Sequence, residues 1–155
     1  MIKQNDKRCL PDIQRIGCFV RSCGAIAELK AGKELVAEQI NLLWLWAKRT
    51  GCVDSHNLVK RSAPIISKTY EMLGCKGQFY EVGTFQKGKT TYYASVGESL
   101  RKAEKWYIQK IGTKGDIGTH FRVVKADGEV LFDPYEPAIK PEKIFYTIIY
   151  AFKEF

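Results

Sequence analysis

Long apolar runs are missing from this 155-residue chain. The longest, 144–152 and 42–47, fall far short of the roughly 20 residues a membrane helix requires. The opening segment, Met1 to Arg8, is polar and lacks the apolar core of a signal peptide. Histidine is scarce, with only two residues, and none of the cysteine spacings resembles a paired zinc knuckle. No internal repeat, low-complexity tract or cofactor motif is present, and lysines and arginines never run more than two together. These absences predict a cytoplasmic protein with free thiols, no membrane partner, no metal and no cofactor.

The chain does have enough length and apolar content for one domain, 1–155, with a real core and no need of disulfides. Its net charge is +8. Because the basic residues are scattered, a solvated surface is the preferred reading of that charge, with nucleic acid as the second. Apolar periodicity predicts helices over about 17–30, over about 37–50, and after Ser62 as far as Gly74, the last with Pro64 in its first turn. From Gln78 onward the pattern changes to segments rich in aromatic and β-branched residues: 78–82, 90–96, 105–111, 119–124, 129–132 and 144–151. A short helix is expected within 99–105, and a glycine-rich polar connector spans 112–118. Helices first and strands second predict an α+β fold, with N-terminal helices packed on a mainly antiparallel sheet.

The segment that draws attention is Gly118-Thr119-His120-Phe121-Arg122-Val123-Val124, followed by Leu131-Phe132-Asp133-Pro134. A two-residue turn at Asp127-Gly128 would put His120 and Asp133 on one face of a hairpin, diagonal neighbours with Cα atoms roughly 7–8 Å apart. A three-residue turn would put them on opposite faces. Histidine titrates near neutrality, and a carboxylate can hold its ring in one tautomer for proton transfer. Cys18 follows Gly17 at the expected start of the first helix, where the positive end of the helix dipole favours a thiolate. Gln14 lies just upstream and could lend an amide donor, with a helix N-terminal N–H, to a developing oxyanion. Cys23 reads as a core filler, His56 as part of a polar surface loop, and Trp44 and Trp46 as supports of a helix interface.

The order Gln14, Cys18 leading a helix, His120-Phe121-Arg122-Val123-Val124 and Asp133-Pro134 resembles the papain-like cysteine peptidase superfamily. Its closest flavour is the small bacterial members, such as the double-glycine leader peptidases of bacteriocin exporters. Gly17-Cys18-Phe19 with Ala27-Glu28 is also similar to an uncharacterised group of short bacterial and phage proteins. The resemblance implies a papain-like fold and a thiol hydrolase of a peptide or protein substrate. In it Cys18 is the nucleophile, His120 the base and acid, Asp133 the orienting carboxylate and Gln14 the oxyanion donor. Gln14 stands closer to the cysteine than the superfamily's spacing, and Cys23-Gly24-Ala25 imitates its cysteine-glycine motif, so Cys23 stays open as an alternative nucleophile. A different class of reading keeps the scaffold without the chemistry: an inactive binding module of a bacterium or mobile element that contacts nucleic acid or a host protein through its basic surface.

Overall fold

The computed structural model describes residues 1–113 and 118–155. Four helices come first: α1 (Pro11–Ile16), α2 (Cys18–Ala31), α3 (Ala37–Arg49) and α4 (Ala63–Met72). Strands β1 (Gln78–Gln86) and β2 (Lys89–Tyr92), a short α5 (Glu98–Lys102), and strands β3 (Glu104–Gly112), β4 (Thr119–Val124), β5 (Val130–Phe132) and β6 (Lys143–Lys153) follow. The described strands form one antiparallel sheet in the order β2-β1-β6-β3-β4-β5. The α+β class expected from the sequence is therefore present. Among the described residues no helix is long and apolar enough to cross a membrane.

α2 is the central helix and packs against both α4 and β4. Every residue from Val20 to Glu28 is buried, so the helix is enclosed around its circumference and is not a surface helix with one apolar stripe. Ile26, Ile65, Ile66, Phe79, Ile108, Val123 and Tyr150 belong to the core around it. Removing each such aliphatic or aromatic side chain from water contributes about 1.5–3 kcal/mol. α2 ends at Gly32, whose φ of 66° lets the chain leave the helix in the left-handed conformation.

Within that enclosed helix, Arg21 and Glu28 form an ion pair of 2.6 Å with both side chains fully buried. Burial pushes the Glu28 carboxyl up from its ordinary value, against the pull of Arg21 and of the Leu35 N–H that it accepts. Arg21 Nε also donates to the carbonyl of Ile2 at 2.7 Å, which anchors the N-terminal segment to α2.

Several local expectations are corrected. α1 was not expected. It is six residues long, too short to show a period, and is started by Pro11 at its first position. β1 runs past residue 82 to Gln86 and turns through Lys87-Gly88, with φ values of 53° and 74°, into β2, which stops at Tyr92. Two positive φ values are what a two-residue hairpin turn needs, and lysine gives little sequence warning of one.

The Asp127-Gly128 turn is also different. Lys125 N donates to Glu129 O and Gly128 N to Lys125 O, closing a three-residue loop over Ala126-Asp127-Gly128. Asp127 Oδ1 accepts from Glu129 N, and only Gly128 takes a positive φ, of 91°, so the two-residue geometry with both centres positive does not form. Pairing is then offset at Val124–Val130. A bulge between Val123 and Val124 on one side and at Leu131 on the other takes up the offset, and Val123 pairs with Phe132. Val130 and Leu131 are both exposed, as two bulge residues facing one partner residue should be.

Candidate active site

α1 and α2 meet at Gly17, and nothing larger fits there. A Cβ on Gly17 would lie 2.5 Å from the Ile13 carbonyl oxygen and 2.8 Å from its Cα. This close approach lets a new helix begin at once, with Cys18 as its first residue. The first N–H groups of a helix have no acceptor within it, and Cys18 stands in that first turn of α2, at the positive end of its dipole.

The bulge sets the other half of the site. With Val123 opposite Phe132, Asp133 falls opposite Arg122 and diagonal to His120. His120 Nε2 and Asp133 Oδ1 lie 2.7 Å apart, and both side chains are almost fully buried. Asp133 is held in turn by its neighbours: Oδ1 accepts the Tyr135 N–H at 2.9 Å and Oδ2 the Ile139 N–H at 3.0 Å. The N-terminal segment clamps the same loop, with Lys3 Nζ donating to Asp133 O and Gln4 N donating to Pro134 O.

Electrostatics follow from this packing. Burial is the largest influence on His120 and favours its neutral form. The hydrogen bond to Asp133, the hydrogen bond and charge of Cys18, and the charge of Asp133 together outweigh it, and the His120 pKa rises to about 9. Burial likewise pushes Asp133 up, but the His120 bond and the two backbone N–H groups hold the carboxyl below its ordinary value. The pair is therefore an imidazolium and a carboxylate at neutral pH. Since Nε2 is engaged by Asp133, Nδ1 is the ring nitrogen left for the thiol.

Cys18, His120 and Gln14 line one cleft of about 790 Å³. Gln14 Nε2 donates to the Cys9 carbonyl at 2.8 Å, which uses one amide hydrogen and leaves the second. Cys23 is elsewhere: it is fully buried in the core, where burial pushes its thiol well above the ordinary range. Trp44 is buried at the helix interface and also reaches the cleft, while Trp46 lies against Lys68. Of the connector 112–118, residues 114–117 lie outside the described residues. Among the described residues no cluster of three or more His, Cys, Asp or Glu could hold a metal.

The sequence reading missed much of the surrounding wall. Gln4, in a segment read only as polar, is buried, and its Nε2 donates to the carbonyls of Ile13 and Gln14. The loop carrying His56 forms part of the cleft wall, tied by a bridge between Val53 and Val59 and by Asp54 Oδ1 accepting from His56 N and Leu58 N. His56 itself is exposed, in agreement with a surface loop. Phe19 stacks on Phe121 at 4.1 Å, and these are the residues that follow Cys18 and His120. That adjacency in both segments was the available signal.

No family model, curated protein or solved structure matches the chain.

Proposed function

We propose that this protein is a thiol hydrolase of papain-like fold, acting on a peptide or other amide bond. What supports the reading is the 2.7 Å contact between His120 Nε2 and the buried Asp133 carboxylate, in a cleft that Cys18 also lines and where the His120 pKa is raised to about 9. The Cys18 thiolate attacks the substrate carbonyl, forming a C–S bond. The oxyanion of the tetrahedral intermediate accepts hydrogen bonds from the free N–H at the start of α2 and from the second amide hydrogen of Gln14. As the C–N bond breaks, the amine leaves with the proton from His120. The neutral ring then takes a proton from water, whose oxygen attacks the thioester, and the acid product departs as the thiolate–imidazolium pair is restored. Asp133 holds the ring's tautomer and direction throughout.

Alkylation with iodoacetamide, followed residue by residue by mass spectrometry, tests the reading. Cys18 should be labelled about tenfold faster than half-buried Cys75. His120→Ala should remove that advantage, and Cys23→Ala should leave it. A peptide library should gain new termini with the native chain and none with Cys18→Ala. Equal labelling of Cys18 and Cys75, indifferent to His120, would overturn the proposal.

A further inference from the structure

The cleft beside Cys18 has a chemical bias. Among the described residues lining it are Arg15, Lys60, Lys110 and His56, and no aspartate or glutamate. Arg15 is already paired with Asp12 at 3.0 Å and Lys60 with Asp54 at 3.6 Å. Lys110 is different. It is half-buried on β3, and its ammonium lies over three rings, at 5.9 Å from Phe121, 5.5 Å from Phe145 and 5.6 Å from Tyr146. The rings attract its charge but accept none of its three N–H donors in the way an oxygen would. Among the described residues Nζ makes no hydrogen bond and meets no carboxylate. A partly desolvated cation in that state is a receptor for an anion.

Its position links it to the nucleophile. Lys110 pairs in register with Phe121, next to His120, and Phe121 stacks on Phe19, next to Cys18. One ring thus separates the ammonium from the segment carrying the thiol. Phe19, Phe121, Trp44 and Tyr146 supply apolar and aromatic surface on the same cleft.

We propose that the cleft selects a substrate carrying a carboxylate beside an apolar side chain, and that Lys110 is the residue that reads the carboxylate. This rests on the thiol-hydrolase reading for its consequence, the choice of substrate, but its binding step can be measured without the thiol. The full chain with Cys18→Ser, ¹³C-labelled at lysine, is titrated by NMR with three probes: N-acetylphenylalanine, N-acetylphenylalaninamide and N-acetylglutamate α-amide. The Lys110 Cε signal is assigned by its loss in Lys110→Arg. A saturable shift is expected with a carboxylate probe, at an affinity roughly tenfold above that of the amide, and weakening at high salt. The first and third probes distinguish a terminal from a side-chain carboxylate. Lys110→Gln should abolish the preference and Lys110→Arg should retain it. Equal affinity for the amide, no shift with any probe, or a preference that survives Lys110→Gln overturns the inference. Carboxylate binding together with an inert Cys18 in the alkylation test would sink the hydrolase reading alone.

Discussion

Replacing Asp133 by asparagine keeps the size of the side chain and an oxygen for the Tyr135 N–H, but removes the charge facing His120. The His120 pKa in the folded chain stands at about 9, against an ordinary value of 6.5. At about 1.4 kcal/mol for each pH unit, that difference corresponds to ~3 kcal/mol of stability linked to this one proton. The ring is almost completely buried, so solvent screening reduces the figure little. Because the pKa is raised on folding, the stabilisation is fully present below pH 6.5 and is lost as the pH rises through 9. Urea denaturation at pH 6 and pH 9.5, with an NMR titration of the imidazole nitrogens, measures both sides of the linkage. In Asp133→Asn the midpoint should fall well below 9, because burial then opposes the charged ring with less to balance it. The stability lost between pH 6.5 and 9 should shrink with it. Cys18→Ala should lower the midpoint in the same direction. A native midpoint near 6.5, or one that Asp133→Asn leaves in place, would refute the reasoning.

Other perturbations have definite outcomes. Glu28→Ala strands the buried Arg21 charge and should cost about 3–5 kcal/mol in chemical denaturation, whereas the joint change Arg21→Met with Glu28→Leu should cost less than either single one. Gly17→Ala drives a methyl group into the Ile13 backbone and should cost about 1–3 kcal/mol. It should also slow alkylation of Cys18, because the start of α2 must shift; an unchanged rate would show that the junction does not place the thiol.

The long helices were readable because burial imposes a period: Ile40, Leu43, Trp44 and Ala47 mark α3, and Gly32 and Gly51 mark the two left-handed exits. α1 was too short for any period to register. The Lys87-Gly88 turn was hidden because lysine at positive φ leaves no compositional trace. The adjacency of His120 and Asp133 could be worked out by counting residues across the hairpin, although the turn that was assumed is not the turn that forms. What counting could not supply was everything brought together from distant segments. Gln4 bonded to the Gln14 carbonyl, the His56 loop on the same cleft as Cys18, and Lys110 over three rings are tertiary facts that no local spacing encodes.

The bulge at Leu131 works as an expansion joint. Eight residues separate Val123 from Phe132, and they can be spent as a two-residue turn with a regular ladder or as a three-residue loop with one bulged position. Both arrangements lead to the same Val123–Phe132 strand pair, so the His120–Asp133 contact does not depend on which of the two turns closes the tip. That makes the tip a graft point. A short glycine-serine insert between Asp127 and Gly128, or a fluorophore attached there, should leave the His120 titration where it was.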